Sequence, residues 1–213
     1  MNANVPVVFL VDDDPSILKA LTRLLAAEGF ETRPYSSATN FLDEYNATLP
    51  GCIVMDLAMP GMSGLDLQSR LATSGQVRPI VFISGHGDVP SSVRAMKAGA
   101  VDFLTKPFDD YVLLSAVRSA IEKDQAVRSK QAQLDRIEKS LASLTKRERE
   151  VFEHVTRGRL NKQIAGDLGI VEKTVKVHRG RIMKKMGVRS LAELVKLAER
   201  INSSSSQEIN APM

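Results

Sequence analysis

Short apolar runs alternate with amphipathic stretches over the first half of the chain. The run Val7–Val11 is continuously apolar and rich in β-branched residues, as expected for a strand that a sheet buries on both faces. Asp14 and Pro15 then predict a helix start, with the aspartate as cap and the proline at the first helical position. Apolar residues recur at helical spacing from Ile17 until Gly29, where the helix is predicted to end. This segment is one βα unit.

The same alternation continues and predicts an α/β domain with a doubly wound parallel sheet. Further strands are predicted near Glu31–Tyr35, Cys52–Asp56, Ile80–Ser84 and Val101–Leu104. Helices are predicted near Ala38–Leu49, Gly64–Thr73, Ser91–Lys97 and Asp109–Glu122. Five βα units imply helices on both faces of the sheet. Ligand sites in such sheets lie at the carboxyl ends of the strands, so the residues there are the first candidates for chemistry.

Beyond this domain the pattern is helical. Residues 123–143 carry many charges and neither Gly nor Pro, and their apolar residues keep helical spacing. This segment is predicted to be a helical linker, either a continuation of the preceding helix or a coiled-coil-like segment. The tail at residues 202–213 begins with Asn202 and four serines and is predicted to be disordered.

Residues 144–201 have the pattern of a small all-α domain of four helices. A capping box headed by Thr145 starts the first helix. A short helix over Asn161–Ile170 ends at a glycine turn, and a strongly basic helix over Thr174–Met186 follows. This combination predicts a helix-turn-helix. A second capping box, headed by Ser190, starts a final helix with one apolar side.

Charge divides the chain more sharply than hydropathy does. Residues 1–123 hold 10 Lys and Arg against 14 Asp and Glu, a net charge of −4, whereas the net charge of residues 124–213 is +8. Only the second half is therefore expected to meet a polyanion, with nucleic acid as the first candidate and a membrane surface as the second. The sequence shows neither a membrane span nor a secretory signal, so a cytoplasmic location is expected. Cys52, the one cysteine, lies in an apolar run and is interpreted as a buried structural thiol.

Charged and hydroxyl side chains stand where the predicted strands end. Asp12 and Asp13 follow the first strand, Asp56 ends the third, Ser84 ends the fourth, and Lys106 follows the fifth. Carboxylates held close together repel one another unless a cation joins them, and oxygen ligands beside a phosphate favour magnesium. A carboxylate in such a site can attack a phosphoryl donor and form an aspartyl phosphate, for which Asp56 is best placed.

The segments that carry these residues resemble the receiver domain of two-component response regulators. They are Val11–Asp14, Asp56–Gly64, Ser84–Asp88 and Phe103–Phe108. The resemblance covers residues 5–122 and implies a five-stranded sheet with strand order 2-1-3-4-5 and a cis Lys106–Pro107 peptide. His86, in the loop beyond the fourth strand, is interpreted as a loop residue rather than a general base.

The resemblance also implies roles for the residues at the strand ends. Asp56 accepts phosphate from a sensor histidine kinase, Ser84 and Lys106 sense the phosphoryl group, and Phe103 matches the aromatic switch position. The implied ligands of magnesium, with manganese as the alternative metal, are Asp12, Asp13, Asp56 and the backbone carbonyl of Ala58. Ser84 keeps the hydroxyl group, but lacks the methyl group, of the threonine that many family members carry.

The second domain resembles the DNA-binding domain of the LuxR and NarL family, and the whole chain is similar to FixJ-type regulators. The candidates that this resemblance places on the recognition helix are Lys173, Thr174, Lys176, Val177 and Arg181. Lys162 and Lys184 are candidates for contacts with phosphates. Val171 departs from the small hydroxyl residue usual at the start of this helix, and a missing cap costs about 1 kcal/mol of helix stability.

Together these resemblances predict a transcription factor that is controlled by phosphorylation. Phosphate on Asp56 is expected to reshape the surface of the fourth helix and fifth strand and to favour a homodimer on double-stranded promoter DNA. RNA polymerase is expected as a further partner and activation as the outcome. The protein is not expected to be an enzyme beyond self-phosphorylation and slow self-dephosphorylation.

Other interpretations stay open at this point. A metal-dependent phosphohydrolase could use Asp56 as its nucleophile. Such an enzyme usually has a cap domain, whereas the rest of this chain is predicted to be a linker and a basic helical domain. A constitutive regulator could use the first domain as a dimerisation scaffold, although the complete set of strand-end residues disfavours this. The basic domain could bind a protein or a membrane surface, but a sharp turn before a basic helix favours DNA.

Overall fold

The computed structural model describes residues 5–85 and 89–199 of the 213-residue chain. The chain forms two compact units, with the boundary between Arg128 and Ser129. Three predictions lie outside the described residues: the loop position of His86, the end of the 144–201 helical segment and the disordered tail at 202–213. None of the helices in the described ranges is long and apolar enough to cross a membrane.

The described residues of the first unit alternate between strands and helices. The strands are β1 (Val7–Val11), β2 (Glu31–Tyr35), β3 (Gly51–Asp56), β4 (Ile80–Ser84) and β5 (Asp102–Thr105). The helices are α1 (Pro15–Ala27), α2 (Ala38–Glu44), α3 (Gly64–Thr73), α4 (Val89–Lys97) and the first part of α5 (Asp110–Ala142). All strands pair in parallel in the order β2-β1-β3-β4-β5, which confirms the predicted topology.

A hydrophobic core lies on each face of the sheet, because successive residues of a strand point to opposite faces. Phe9 shares one core with Phe41 of α2 and Leu67 of α3, whereas Leu10 shares the other with α1 and with Val117 of α5. All five side chains are fully buried, and each contributes roughly 1.5–3 kcal/mol of burial free energy. The two cores fix the sheet, and the sheet fixes the positions of the strand ends.

Cys52 and the ends of the elements mostly match the sequence interpretation. Cys52 is fully buried on β3, and burial raises the pKa of its thiol to about 12, as suits a structural thiol. β5 begins one residue later than predicted, and α4 begins at Val89 rather than Ser91. These shifts lie within the usual uncertainty of helix and strand ends.

Helix α2 ends at Glu44, and the predicted end at Leu49 was wrong. Tyr45 has an extended backbone, and the Asn46 side chain then accepts a hydrogen bond of 2.9 Å from the backbone N–H of Thr48. An asparagine that binds nearby backbone groups competes with the helical hydrogen bonds. The prediction failed because Tyr45 and Leu49 keep helical spacing although the chain has already turned.

Helix α5 runs without interruption from Asp110 to Ala142. The charged segment that follows the first domain is therefore a continuation of its last helix. Near its end, α5 buries Ile137 in the core of the second unit, together with Val151 and Ile182. The helically spaced apolar residues near the end of this segment therefore pack in the core of the second unit.

The second unit continues with α6 (Lys146–Thr156), α7 (Asn161–Leu168) and α8 (Glu172–Met186), and residues 191–199 are also helical. The capping box of Thr145 forms as predicted, and Gly169 ends α7 in the left-handed conformation. Helix α8 begins two residues before the predicted Thr174. Its N-cap, Val171, makes no side-chain capping hydrogen bond.

The predicted capping box at Ser190 forms only in half. The Ser190 hydroxyl oxygen accepts a hydrogen bond of 3.2 Å from the N–H of Glu193. The Glu193 carboxylate instead accepts from the N–H of Arg189, at 2.8 Å. The carboxylate reaches one residue farther back than a capping box requires, so this part of the prediction was wrong.

Candidate functional site

Three charged side chains converge at the carboxyl edge of the sheet. Asp12 follows β1, Asp56 ends β3, and Lys106 follows β5. The Lys106 Nζ atom donates a hydrogen bond of 2.7 Å to Oδ1 of Asp56 and one of 2.9 Å to Oδ2 of Asp12. Asp12 and Asp56 are only 2% and 6% exposed. We call these three residues the acidic pocket.

Burial and pairing set the charge state of the acidic pocket. Burial raises the pKa of Asp12, and hydrogen bonds from Lys106 and from the Asp14 N–H offset part of this rise. Burial alone would lower the pKa of Lys106, but its hydrogen bonds to Asp56 and Asp12 outweigh that effect and leave the pKa raised. Lys106 therefore stays a cation, and two carboxyl groups share its single positive charge.

The backbone around Asp56 holds its carboxylate in place. Oδ2 of Asp56 accepts a hydrogen bond of 2.7 Å from the N–H of Ala58. The N–H of Gly64, the first residue of α3, donates to the carbonyl of Leu57 at 2.9 Å. A Cβ atom on Gly64 would lie 2.4 Å from the carbonyl oxygen of Asp56, so only glycine lets α3 begin this close to the pocket.

The other residues predicted at this edge come from β4 and β5. Ser84 is buried at the end of β4, and its carbonyl accepts a hydrogen bond of 2.7 Å from the backbone N–H of Lys106. The Lys106–Pro107 peptide is cis, as the resemblance implied. Phe103 of β5 is half-buried, with its ring centroid 6.2 Å from that of Phe82.

The third predicted carboxylate, Asp13, directly follows Asp12 in the chain and is exposed. Within residues 5–85 and 89–199, no group of three or more His, Cys, Asp or Glu side chains is placed to hold a metal ion. The donors that the resemblance implies are all oxygens, namely the carboxylates of Asp12, Asp13 and Asp56 and the backbone carbonyl of Ala58. Their chemistry fits a hard divalent cation such as magnesium.

In the second unit, helix α8 presents a basic face. The predicted DNA-contacting residues that are exposed are Lys173, Lys176, Val177, Arg181 and Lys184 of α8 and Lys162 of α7, while Thr174 is half-buried. The spacing of Lys173, Val177, Arg181 and Lys184 places these four side chains on one side of the helix. Val175, Ile182 and Met186, on the other side, are buried in the core.

Two polar contacts that the sequence interpretation missed fix α8 on its neighbours. Arg179 donates a hydrogen bond of 2.6 Å to the side chain of Asn161 at the start of α7. Lys185 donates one of 2.6 Å to Glu148 of α6, which is 3% exposed. The hydrogen bond from Lys185 is the main reason that the pKa of Glu148 falls to about 2. The sequence identified Glu148 only as part of a capping box.

The first unit is a doubly wound sheet with the acidic pocket, and the second is a helix-turn-helix unit with a basic face. Together they define a regulator that joins a receiver to a DNA-binding domain. Residues 8–118 match the response regulator receiver domain, and residues 142–198 match the bacterial regulatory proteins of the luxR family. The protein therefore belongs to the response regulator family and carries a LuxR-type DNA-binding domain. It is a transcription regulator that receives its signal from a histidine kinase and binds DNA.

Individual relatives are similar over nearly the whole chain. The chain is 47% identical to response regulator protein TmoT of Ectopseudomonas mendocina over 204 residues, which cover 96% of this chain and 93% of TmoT. It is 42% identical to transcriptional regulatory protein FixJ of Azorhizobium caulinodans over 191 residues, 90% of each chain. The solved structure of response regulator StyR is 48% identical, with a TM-score of 0.86 and coverage of 92% of this chain and 99% of StyR.

Proposed function

We propose that Asp56 accepts a phosphoryl group and that the acidic pocket converts this modification into a change of DNA binding. The observation that carries the proposal is the position of Lys106, which donates hydrogen bonds to both Asp56 and Asp12. A carboxylate oxygen of Asp56 attacks phosphorus, and the bond between phosphorus and the histidine nitrogen of the kinase breaks, with its electron pair leaving on nitrogen. The ammonium group of Lys106 stabilises the charge that develops on the phosphoryl oxygens.

Magnesium is the proposed cofactor, with manganese as a substitute. The residues that would hold it are Asp12, Asp13, Asp56 and the backbone carbonyl of Ala58. When bound, the cation would offset negative charge on the phosphoryl oxygens. Asp12 and Asp56 are held at the sheet edge, and Asp13, exposed beside Asp12, supplies a further oxygen donor.

Ser84, Lys106 and Phe103 are proposed to report the phosphoryl group to the rest of the domain. Ser84 and Lys106 are joined through their backbones at 2.7 Å, so a displacement of one carries the other. Phe103 is only half-buried and can change its packing at a lower cost than a fully buried ring. The phosphoryl group would then favour one of two existing arrangements of this edge.

Phosphorylation is further proposed to favour a homodimer through the surface of α4 and β5. Helix α4 exposes Val89, Val93 and Met96, whose exposed fractions are 73%, 44% and 45%. Their spacing gives one apolar stripe, which association with a second copy would bury. A dimer would bring two α8 helices to repeated sites on promoter DNA, where contact with RNA polymerase would activate transcription.

The domain limits and the cellular setting are also part of the proposal. The receiver is taken to span residues 5–122, the linker 123–143 and the DNA-binding domain 144–201. Burial of Ile137 in the second core favours a DNA-binding unit that begins inside the linker. A bacterial regulator of this kind acts on cytoplasmic DNA, and the only chemistry proposed for it is its own phosphorylation and slow dephosphorylation.

The phosphorylation step is tested by intact mass after incubation with acetyl phosphate, with and without magnesium. Wild type and the exposed control Asp43→Asn should each gain one phosphoryl group when magnesium is present, and Asp56→Asn should gain none. The same gain in Asp56→Asn would overturn the assignment of the phosphate acceptor. A gain that does not depend on magnesium would overturn the cofactor.

The DNA-binding surface is tested by titrating a duplex that the phosphorylated protein has enriched from a random-sequence library. A lysine on a phosphate releases counterions, so Lys184→Ala should reduce the slope of log affinity against log salt by about 0.9. The control Lys130→Ala changes an exposed lysine of α5 that lies outside the proposed surface and should leave the slope unchanged. Equal slopes for wild type and Lys184→Ala would remove Lys184 from the interface.

A further inference from the structure

A second cluster of charged side chains lies at the amino-terminal edge of the sheet, where β3 begins. It consists of Arg78, which precedes β4, and of Asp124 and Arg128 on α5. The side chains of Arg78 and Asp124 are 2% and 6% exposed, and that of Arg128 is 35% exposed. We call these three residues the arginine clamp. The only sequence signal for it is the i, i+4 spacing of Asp124 and Arg128.

Asp124 joins α5 to the first residue of β3. Its Oδ2 atom accepts hydrogen bonds of 2.8 Å from the backbone N–H of Gly51 and from Nε of Arg128, and Oδ1 lies 3.9 Å from Arg78. Gly51 has a positive φ of 138°, and a Cβ atom there would lie 1.9 Å from the carbonyl oxygen of Val7. Only glycine therefore fits at the position where Asp124 holds the start of β3.

The two arginines hold the loop between α2 and β3. Arg78 donates to the carbonyls of Ala47 and Leu49 at 2.9 and 2.7 Å, and Arg128 donates to the same two carbonyls at 2.9 and 2.7 Å. Arg78 also donates to the Tyr45 hydroxyl and stacks over that ring, 5.3 Å from its centroid. A buried charge destabilises a protein unless it has charged or hydrogen-bonding partners. Here Asp124 and the loop carbonyl oxygens are the partners of the two arginines.

The position of the clamp along the chain suggests its role. β3 runs directly from Gly51, which the clamp holds, to Asp56, the proposed phosphate acceptor. Arg128 is the last residue of the first unit, and from residue 129 to 136 every residue of α5 is exposed except the half-buried Leu134. The clamp is therefore the last tertiary anchor of α5 in the first unit before the helix reaches the second core at Ile137.

We propose that the arginine clamp transmits the phosphorylation state of Asp56 to the DNA-binding unit by fixing the end of the receiver part of α5 to β3. The inference rests on the proposed function. A helix carries a displacement only if its turns are held, and without the clamp the last receiver turns of α5 can fray. Arg128 is in this sense a positioning residue, since it contacts Asp124 and the carbonyls of the loop before β3 and does not touch the residues of the acidic pocket.

The test uses the full-length protein and the variant Arg128→Met, which keeps the length of the side chain and removes its donors. Because Arg128 is partly exposed and Asp124 keeps its contacts with Gly51 and Arg78, this variant should fold. The matched control is Arg118→Met on the same helix, which breaks the exposed ion pair with Glu28. Each protein is treated with acetyl phosphate and magnesium and titrated, in both states, with the duplex enriched by phosphorylated wild type.

We expect all three proteins to reach the same extent of phosphorylation by intact mass and the same DNA affinity before phosphorylation. Wild type and Arg118→Met should bind DNA more tightly after phosphorylation. Arg128→Met should bind DNA with nearly the same affinity in both states. Amide hydrogen exchange over residues 122–136 should be roughly tenfold faster in Arg128→Met than in the other two proteins. A merely stabilising contact would not remove the response to phosphate at equal phosphorylation.

The proposal would be overturned if phosphorylation raised the DNA affinity of Arg128→Met as much as that of wild type. It would also be overturned if the control Arg118→Met lost its increase in affinity. Unchanged exchange over residues 122–136 would also overturn it, because the clamp would then not hold α5. Failure of the proposed function is recognised separately, in wild type. If phosphorylated wild type gains no affinity, regulation by phosphate is refuted and the role of the clamp falls with it.

Discussion

The ammonium group of Lys106 joins Asp56 and Asp12, which come from the ends of two neighbouring strands. One cation thus holds two buried carboxyl groups that would otherwise repel each other. The same arrangement places a positive charge where a phosphoryl group on Asp56 would need it. Stability and chemistry are therefore linked at this lysine.

Replacement of Lys106 by methionine should destabilise the first unit by about 2 kcal/mol, because it leaves two buried carboxyl groups without their cation. Urea unfolding of full-length protein measures the change. The double variant Lys106→Met/Asp12→Asn should recover part of the loss, since one of the two carboxylates is then neutral. A double variant that is as unstable as the sum of the two single variants would show that the charges do not interact.

Gly64→Ala should destabilise the first unit by about 2–3 kcal/mol and slow phosphorylation of Asp56. The new Cβ atom would lie 2.4 Å from the Asp56 carbonyl oxygen, so the backbone at the phosphate acceptor has to move. Thermal unfolding and the rate of mass gain with acetyl phosphate measure the two effects.

Gly166→Ala is the matched control for Gly64→Ala. Gly166 lies on the exposed side of α7 with nothing within 4 Å of a Cβ atom, so alanine should stabilise its helix by about 0.5–1 kcal/mol. If Gly64→Ala behaved like Gly166→Ala, the close approach of α3 to Asp56 would have no structural consequence.

Glu148→Gln should destabilise the second unit by about 2 kcal/mol at neutral pH, because the hydrogen bond to Lys185 loses its anionic acceptor. The pKa of Glu148 falls from 4.5 to about 2 on folding, so the stabilisation is complete above pH 4.5 and is lost as the pH falls towards 2. Urea unfolding between pH 7 and pH 3 should show the difference between variant and wild type shrinking below pH 4.5. A difference that grows in acid would contradict this sign.

Val171→Ser should stabilise the second unit by about 1 kcal/mol. Val171 is the N-cap of α8, its backbone is extended, and its side chain is 67% exposed, so serine can add the missing capping hydrogen bond with little loss of burial. Val127→Ser is the control, because Val127 is 61% exposed within α5 and caps no helix. An equal effect of both serines on the urea midpoint would rule out capping as the cause.

Local sequence features determined most of the elements and the candidate site residues. Apolar runs and helical spacing predicted the strands, the helices and the two-part organisation, because periodicity and capping act over only a few residues. Asp12, Asp56 and Lys106 could be selected in advance because parallel strands bring their carboxyl ends to one edge. The candidates on the basic face of α8 came from the resemblance to the LuxR and NarL family, and the structure leaves Lys173, Val177 and Arg181 exposed.

Tertiary structure alone decided which distant side chains meet. Lys106 and Asp12 are 94 positions apart, and Asp124 and Gly51 are 73 apart, so neither contact leaves a local pattern. Such pairings depend on strand order and on helix packing across the whole sheet, whereas the sequence pattern reports only the turn or strand in which each residue lies.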